Sequence, residues 1–383
     1  MKILFLSFNQ ESRGSFLRAF ALAKELSKLG HQLSLLCASA KNSYEEKETD
    51  GVKLLSFPWG KRFLHGYNIS EVQARKKWLR NQKFDVIHAF DLRPSCIYPA
   101  LYAQQNGGII ISDWADWFGR GGSVEERSNV FLRTIMRPIE TYYEHSMRLK
   151  TNASTVICCK LYNMGLELGI EPENLLILPN GFNQTISPKV DKHEARQRLG
   201  IKSTDYLVGS LGAFFLKDFE FLQQVINLVQ AEKHINFVHI GQALKTHMPK
   251  GLFFTGRLSD EELSLYLQAC DLLQLPLADI PANHGRLPLK FSDYISAGRP
   301  VLSSNIGDIP VYIEKFDVGF VSKPNPFDYA KALLNAINNP DLLTRTEKKA
   351  LDLSKKPLYR WQDRALDLEV FYTKMIEKTH KNT

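Results

Sequence analysis

The chain alternates short apolar runs with longer segments in which apolar residues recur at helical spacing. It opens with the apolar run KILFLSF, a polar loop, and then FLRAFALAKELSKLG, whose apolar stripe ends at Gly30. A second apolar run, HQLSLLCA, follows. A strand, a loop, a helix and a strand within about forty residues form a βαβ unit, so this pattern predicts a parallel sheet covered by helices.

The same alternation continues along the first half of the chain and starts again near residue 205. The further strands predicted in the first half are VKLLSF, FDVIHAF, GIIIS, STVICC and NLLILP. Between Asn180 and Asp205 the sequence is polar and has no strand-like run, and a second series then extends from YLVGSLGAF to VGFVS. We therefore predict two doubly wound α/β domains with a boundary in this polar segment.

One segment, HGRLPLKFSDYISAGRPVL, combines a helical pattern with unusual charges. Apolar spacing predicts a helix from Leu289 that ends before Gly298 and Pro300, with Lys290 in its first turn and Asp293 three residues later. A lysine there opposes the helix dipole, so it either is solvated or faces an anion. An intrahelical ion pair on a wet surface is the alternative.

Composition indicates an ordinary globular protein. With 383 residues, 44% hydrophobic and 23% charged, the chain exceeds the usual size of one core. No apolar run is long enough to span a bilayer, and MKILFLSF lacks the features of a signal peptide, so we expect a cytoplasmic protein. The five cysteines have no zinc-site spacing, and Cys158 and Cys159 would point to opposite faces of a strand, so we expect reduced core cysteines and no metal.

The net charge of +8 indicates an anionic partner, which nucleotide phosphates, acidic lipid or nucleic acid could each supply. The densest basic groups, Lys61-Arg62 and Arg75-Lys76-Lys77, lie in the first half, as does Arg133. They lack the interleaved aromatics of a nucleic-acid platform, so nucleic acid is not expected. A solvated positive face and contact with an anionic membrane surface both stay open.

Polar and basic residues collect in the loops that follow strands of the second domain, where parallel sheets bind ligands. Gly209 and Gly212 permit a tight turn after the first strand, and Lys217 precedes Asp218, the predicted N-cap of the next helix. A later loop gathers Asp279, Asn283, His284, Arg286 and Lys290 around Gly285. Such a cluster can hold a diphosphate, and Asp293 could accept hydrogen bonds from ribose hydroxyls.

The first domain offers weaker signals. Gly14 is the only glycine in the first strand-to-helix loop, which does not favour a nicotinamide-dependent oxidoreductase. The segment ISDWADWFGRGG places Asp113 and Asp116 beside Trp114 and Trp117. Carboxylates beside indole rings suit sugar binding, and a capped turn buried under tryptophans fits equally well. His88, at a strand end, is a structural rather than a catalytic candidate.

With these residues in place, the sequence resembles the retaining GT-B glycosyltransferases of family 4. The resemblance rests on FDVIHAFD, ENLLILPNGFN, VGSLGAFFLKD, TGRLSDEELSLYLQACDLLQLPL and RLPLKFSDYISAGRPVLSSNIGDIP, which follow the family's order over nearly the whole chain. It implies two Rossmann-like, doubly wound parallel-sheet domains that face each other across a cleft. These are an acceptor-binding domain at 1–184 and a nucleotide-sugar-binding domain at 185–355. The resemblance also implies a last helix at 356–383 that packs back on the first domain.

The resemblance also implies site residues. Asp293 matches the motif acid at the nucleotide ribose, Lys217 the phosphate-binding lysine, and Gly14 the loop that meets donor and acceptor. Three features depart from the family. Gly285 stands in place of the first motif acid, unless Asp279 replaces it, and Ala213 stands in place of an arginine. The Asp113-Trp114 neighbourhood replaces a first-domain histidine. We predict Asp113, Asp116 and Lys217 as catalytic residues. The predicted donor-binding residues are Gly14, Gly212, Lys217, Asn283, His284, Arg286, Lys290 and Asp293.

The activity implied is transfer of a sugar from a nucleotide diphosphate sugar to an acceptor hydroxyl with retention, in surface polysaccharide or glycolipid synthesis. Neither a metal nor another cofactor is expected. The expected partners are a nucleotide sugar and a saccharide or lipid-linked acceptor, with peripheral contact to the inner face of an anionic membrane as an option. Two alternatives stay open, an inactive GT-B subunit that binds a nucleotide or a partner, and a nucleotide-sugar epimerase.

Overall fold

The structure is a computed structural model that describes residues 1–60, 64–242, 249–356 and 359–381. The basic pair Lys61-Arg62 lies outside these residues. The chain forms two compact units, the first made of Met1–Gly181 with Trp361–Thr383 and the second of Phe182–Arg360. Within the described ranges, no helix is both long and apolar enough to cross a bilayer.

The first unit is built on an eight-stranded sheet. Its strands are β1 (Lys2–Gln10), β2 (Gln32–Ala38), β3 (Glu45–Thr49), β4 (Val52–Phe57), β5 (Val86–Ala89), β6 (Ile109–Trp114), β7 (Ala153–Val156) and β8 (Leu175–Ile177). Their spatial order is β3-β4-β2-β1-β5-β6-β7-β8. The pairs are parallel except at the edge, where β3 runs antiparallel to β4. The sequence pattern did not predict β3, because its residues EEKET are charged and mostly exposed.

In the described part of the first unit, five α-helices come before the second unit begins. They are α1 (Ser15–Lys28), α2 (Ile69–Leu79), α3 (Pro94–Gln104), α4 (Val130–His145) and α5 (Cys159–Glu167). The strand predicted at STVICC is shorter than expected, because β7 ends at Val156 and α5 begins at Cys159. The prediction that Cys158 and Cys159 share a strand is therefore wrong. The predicted core position is confirmed for Cys158, which is buried, and wrong for Cys159, which is exposed.

The second unit contains a six-stranded, all-parallel sheet. Its strands are β9 (Leu207–Leu211), β10 (Asn236–Ile240), β11 (Leu252–Phe254), β12 (Leu272–Leu275), β13 (Val301–Ser304) and β14 (Gly319–Ser322). Their order is β11-β10-β9-β12-β13-β14, so the chain runs outward in one direction and then returns to continue in the other. This is the doubly wound arrangement, and its switch point lies between β9 and β12. Ligands of such sheets bind beyond the carboxyl ends of the strands at that point.

Helices cover this sheet. They are α6 (Lys192–Leu199), α7 (Leu216–Glu232), α8 (Asp260–Ala269), α9 (Pro281–His284), α10 (Leu289–Ser296), α11 (Ile309–Phe316), α12 (Pro326–Ile337) and α13 (Pro340–Lys355). Helix α10 begins at Leu289, as the apolar spacing predicted. The N-cap predicted at Asp218 is wrong, because α7 begins earlier, with Phe215 as its N-cap. Asp218 instead lies buried in the first turn of this helix.

The last helix, α14 (Trp361–Lys381), belongs to the first unit. Its apolar face, which includes Leu368 and Tyr372, joins the core that α1 forms with Phe16 and Leu22. The hydroxyl of Tyr372 also hydrogen bonds with the buried ring of His88, at 2.6 Å from Nδ1. The spacing of apolar residues along this helix is thus explained by burial against the first unit's core.

Candidate functional site

The loop between β9 and α7 is held in a fixed shape at the switch point of the second unit. Gly212 has a φ of 85°, a left-handed conformation that glycine adopts easily. His239 Nε2 donates a hydrogen bond to the Gly212 carbonyl at 2.6 Å, and the Ser210 hydroxyl lies 2.9 Å from Nδ1. Burial lowers the pKa of His239 to about 4, so the ring is neutral at physiological pH. Its role here is structural, because it holds the Gly212 carbonyl in place.

Helix α10 is fastened to the same place by Tyr294. The Tyr294 hydroxyl accepts a hydrogen bond from the Leu211 backbone nitrogen at 2.8 Å and donates to the Gln274 carbonyl at 3.3 Å. These bonds tie α10 to the ends of β9 and β12, the two strands that flank the switch point. The start of α10 therefore lies beside the loop that follows β9.

Two cations converge on this loop. Lys290 Nζ donates to the Ala213 carbonyl at 3.3 Å and lies 5.2 Å from the ring centre of Phe214. The guanidinium of Arg286 lies 3.8 Å from the ring centre of Phe215. Burial lowers the pKa of Lys290 to about 8, a shift that the charge of Asp218 opposes and the charge of Arg286 supports. Two cations held this close favour an anion between or beside them.

Lys217 adds a third positive charge. It is exposed in the first turn of α7, two residues after Phe215. The first turn of a helix also presents backbone N–H groups without helical partners, which attract anions. The structure thus brings the predicted residues Gly212, Lys217, Arg286 and Lys290 to one loop.

The neighbouring loop is stiffened by Asp218 and Asn283. Asp218 Oδ1 accepts from the Ala278 backbone nitrogen at 2.9 Å and from Asn283 Nδ2 at 2.7 Å. Asn283 is only 1% exposed, and its nitrogen also donates to the Ala278 carbonyl. These bonds give Asn283 a structural part that its predicted donor-binding role did not include. His284 and Asp279 form a more exposed pair, with Nε2 and Oδ1 2.8 Å apart.

Asp293 is half-buried on α10 and faces different partners from Lys290. Its carboxylate hydrogen bonds with Asn183. Burial raises the pKa of Asp293 to about 7, a shift that the charge of Asp260 supports and the hydrogen bond with Asn183 opposes. In the described part of the chain, Lys290 bonds to Ala213 instead of Asp293, so the helix does not use these charges as an internal pair.

In the first unit, the predicted loop after β1 is shaped by Gly14. Its φ is 48°, and a side chain there would meet the amide of Asn9, because an added Cβ would lie 2.5 Å from Nδ2. Asn9 Nδ2 donates to the Ser15 hydroxyl at 3.1 Å, and Ser7 lies 3.0 Å from the same oxygen. Gly14 therefore allows a polar, closely packed turn at the start of α1.

Asp113, predicted as a catalytic residue, lies in a buried ion pair. Arg18 donates to both its carboxylate oxygens at 2.9 Å, and Thr155 donates to Oδ1 at 2.6 Å. Burial would raise the pKa of Asp113, but Arg18 and the hydrogen bonds hold it below its usual value. With 3% of its surface exposed, Asp113 has a structural environment, whereas Asp116 is half-buried in the loop beyond β6.

The loop after β6 is closed by Glu144, a residue that the sequence analysis did not single out. Glu144 accepts hydrogen bonds from Trp114 Nε1 at 2.9 Å and from the backbone nitrogens of Phe118 and Gly119 at 2.7 Å. Trp114 is 1% exposed. The loop is thus the capped turn under a tryptophan that formed one of the two alternatives. Glu144 lies on α4, so no local pattern around the loop could have indicated it.

Comparison with known proteins adds the family to this geometry. Residues 13–185 match the family model described as Glycosyltransferase Family 4, and residues 191–352 match the model described as Glycosyl transferases group 1. The two models together account for most of the chain, one in each unit. The chain belongs to the GT-B glycosyltransferases, and the predicted fold class of two doubly wound α/β domains is confirmed. No curated protein matches the sequence.

Solved structures share the fold along the whole chain. Sucrose-phosphate synthase from Thermosynechococcus elongatus has a TM-score of 0.78 at 14% identity, covering 99% of this chain and 100% of that one. WaaG, a glycosyltransferase involved in lipopolysaccharide biosynthesis, has a TM-score of 0.70 at 17% identity, covering 96% and 99%. Anabaena HepE in complex with UDP-glucose has a TM-score of 0.66 at 15% identity, covering 100% of both chains. At these identities the likeness describes the fold.

Proposed function

We propose that this protein is a retaining glycosyltransferase that moves a sugar from a nucleotide diphosphate sugar to an acceptor hydroxyl. The observation that carries the proposal is the convergence of Arg286 and Lys290 on the β9–α7 loop, at the switch point of the second unit. Lys290 is half-buried and Arg286 is 6% exposed, so both cations are positioned by packing instead of lying loose on the surface. Such an arrangement suits a diphosphate.

Arg286 would supply the positive charge of the arginine that the family has at the position of Ala213. Arg286 lies between α9 and α10, and its guanidinium stacks on the ring of Phe215, two residues after Ala213. Asp293 would accept hydrogen bonds from the ribose hydroxyls one helical turn further along α10. We propose a UDP-sugar as the donor to test first, because the HepE structures contain UDP and UDP-glucose.

In the proposed mechanism, the protein lowers the barrier by stabilising charge on the departing diphosphate. The bond between the anomeric carbon and the diphosphate oxygen breaks, and the acceptor oxygen forms the new bond on the same face of the sugar. The acceptor hydroxyl loses its proton to a phosphate oxygen of the leaving group. Lys217, Arg286, Lys290 and the first turn of α7 would supply the positive charge that a metal provides elsewhere.

A titration of the purified protein with UDP, GDP, ADP and dTDP tests the donor site. We expect one nucleotide to bind and Lys290→Ala to weaken it by about tenfold or more, since a charge-assisted contact is lost. The matched control is Arg198→Ala, which removes an exposed cation paired with Glu194 on α6. Failure of all four nucleotides to bind, or equal effects of the two substitutions, would overturn the donor site.

Turnover distinguishes an enzyme from an inactive subunit. With the matching nucleotide sugar and a panel of saccharide and glycolipid acceptors, we expect nucleotide diphosphate release and a product whose anomeric configuration matches the donor. The configuration is read from the anomeric proton coupling in the NMR spectrum. Nucleotide binding without release would favour the inactive GT-B subunit, and an epimerised sugar without transfer would favour the epimerase.

A further inference from the structure

A second candidate site lies entirely within the first unit, at the carboxyl edge of its sheet. Asp91 follows β5 by two residues, and β5 pairs with β1 at the point where the strand order of this sheet reverses. Asp91 lines a small cavity of about 20 Å³ together with Tyr67, Arg93, Phe118, Glu140 and Tyr143. Doubly wound sheets bind ligands at this position, as in the second unit.

Asp91 has an unused hydrogen-bonding atom in this cavity. The residue is 6% exposed, and its Oδ1 accepts from the Arg93 backbone nitrogen at 2.6 Å. Among the described residues, Oδ2 is buried and has no hydrogen-bond partner. A buried carboxylate oxygen without a partner is costly, so this atom indicates a ligand that donates a hydrogen bond.

The cavity is lined by four carboxylates and two guanidinium groups. Because Arg18 and Arg127, outside the lining, pair with two of these carboxylates, those of Asp113 and Glu140, the charges offset one another and favour a neutral ligand. Arg93 lies 3.7 Å from Glu140 across their charged groups, and its guanidinium also lies 4.9 Å from the ring centre of Phe118. Arg93 and, to a smaller extent, Arg148 offset the charge of Asp91. A neutral hydroxyl fits these surroundings, since it can donate to Asp91 Oδ2 and accept from an N–H or O–H group.

The size of the cavity and the aromatic residues that line it further limit which group can bind. A volume of about 20 Å³ holds one water-sized group and excludes a sugar ring. Tyr67, Phe118 and Tyr143 line the cavity and are only half-buried. Aromatic rings next to a carboxylate suit a sugar, whose C–H faces stack while its hydroxyls hydrogen bond.

We propose that this cavity receives one hydroxyl or hydroxymethyl group of the carbohydrate acceptor, with Asp91 Oδ2 accepting its hydrogen bond. This assignment rests on the proposed glycosyl transfer and makes Asp91 a specificity-determining residue for the acceptor. The sequence pattern predicted sugar-binding acids at Asp113 and Asp116 in the next loop. Asp113 is paired with Arg18, whereas Asp91, within the motif FDVIHAFD, has a carboxylate oxygen without a hydrogen-bond partner among the described residues.

Saturation-transfer NMR on the full chain tests the proposal, with the methyl glycosides of glucose, galactose, mannose and N-acetylglucosamine as probes. We expect at least one glycoside to bind and Asp91→Asn to weaken it by about tenfold or more, because the amide keeps the bond to Arg93 but loses the free acceptor. The matched control is Asp50→Asn at a hairpin tip. Asp50 has a φ of 54°, which asparagine tolerates, and its carboxylate pairs with Lys24.

Deoxy analogues of the glycoside that binds then locate the hydroxyl. One deoxygenated position is expected to weaken binding to the wild type and to cause no further loss in Asp91→Asn, since both changes remove the same bond. Tyr67→Phe provides a second variant if Asp91→Asn fails to fold, and it is expected to weaken the same glycoside.

Two results would overturn the acceptor cavity. The first is that no glycoside binds to the wild type. The second is that the wild type, Asp91→Asn and Tyr67→Phe bind the glycoside equally. Either result would leave the cavity as a site for a structural water only. UDP binding, measured in parallel on each variant, keeps this question apart from the donor site. If UDP binds and glycosides do not, the cavity assignment fails while the proposed donor site stands. If none of UDP, GDP, ADP and dTDP binds either, the proposed function itself fails.

Discussion

The guanidinium of Arg286 lies 3.8 Å from the ring centre of Phe215, and this contact places a buried arginine against the loop that follows β9. The stack depends on the flat, delocalised guanidinium, which a lysine ammonium does not reproduce. We therefore expect Arg286→Lys to weaken nucleotide diphosphate binding by about tenfold, although the formal charge is kept. Calorimetric titration of the variant beside Arg198→Ala measures this, and unchanged affinity in Arg286→Lys would contradict the proposed role.

The roles of Lys290 and Asp293 are separable with inorganic pyrophosphate. If Lys290 contacts the diphosphate and Asp293 the ribose, Lys290→Ala weakens both pyrophosphate and UDP, whereas Asp293→Ala weakens UDP alone. The expected loss is about tenfold for each affected ligand, the effect of one hydrogen bond to a charged group. Competition titrations with both ligands on both variants check the pattern. An equal loss of pyrophosphate and UDP in Asp293→Ala would place Asp293 at the phosphates instead.

Nucleotide binding is expected to fall as the pH rises above about 8. Burial lowers the pKa of Lys290 to about 8, so the free protein loses this positive charge at mildly alkaline pH. A bound diphosphate favours the charged form of Lys290. Above that pH, binding therefore requires that Lys290 takes up a proton, which lowers the affinity. Lys290→Arg stays charged and should show a flat profile over the same range. Titrations with UDP from about pH 7 to about pH 9.5 measure the difference, and parallel profiles for the two proteins would argue against this titration.

The lowered pKa of Lys290 is expected to make the folded protein more stable as the pH rises, whereas it weakens nucleotide binding. Between about pH 8 and 10.5, the unfolded chain binds a proton at Lys290 that the folded chain has lost. The free energy of unfolding therefore gains a contribution from this group as the pH rises through that window. Lys290→Met removes the contribution. Urea unfolding at several pH values, with the wild type and Lys290→Met compared, should show a smaller rise for the variant, and equal slopes would contradict the assignment.

The alternation of elements and the start of α10 followed from local pattern, because apolar spacing and the Gly298 and Pro300 stop signals act over a few residues. Edge strand β3 did not, because its charged residues are stabilised by pairing with β4 and carry no apolar alternation. The start of α7 was misplaced because Asp218 is a good N-cap type. Its carboxylate instead bonds to Ala278 and Asn283, partners some sixty residues away that no local pattern includes.

The candidate donor site was largely predictable, and the first unit's candidate site was not. Lys217, Arg286 and Lys290 lie in loops that follow strands, and topology alone brings such loops to one edge of the sheet. Asp113 also lies at the end of a strand, but its carboxylate is paired with Arg18. Arg18 lies on α1, far away in the sequence, so the residues around Asp113 could not predict this ion pair. The free oxygen of Asp91 likewise depends on which groups surround it in three dimensions.

Asp113→Ala tests whether this acid is structural. The substitution leaves the Arg18 guanidinium buried without its counter-ion, at a site where both side chains are almost fully enclosed. Breaking a buried pair in this way costs about 3–5 kcal/mol of the free energy of unfolding. We expect that loss in urea unfolding and unchanged UDP affinity at temperatures where the variant is folded. A variant that keeps wild-type stability but loses turnover would restore the catalytic role predicted from the sequence.

The exposed face of α4 predicts association with an anionic membrane. Phe131 is 75% exposed, and Ile135 and Tyr142 lie on the same side of the helix, each more than two fifths exposed. Arg133 lies on the opposite side of this helix and donates to the Glu125 carbonyl, so the exposed Lys150 beyond the end of the helix supplies the positive charge of this region. Apolar side chains flanked by cations bind the surface of acidic bilayers through burial and charge together.

We therefore expect the protein to sediment with vesicles of phosphatidylglycerol and phosphatidylcholine, less with phosphatidylcholine alone, and less at high salt. The double variant Phe131→Ser with Ile135→Ser should lose about tenfold in the vesicle partition coefficient, since two apolar contacts are removed. Leu366→Ser with Val370→Ser is the matched control, because it removes two exposed apolar side chains from α14, elsewhere on the first unit. Sedimentation that is absent, or that both double variants reduce equally, would leave α4 as an ordinary exposed helix.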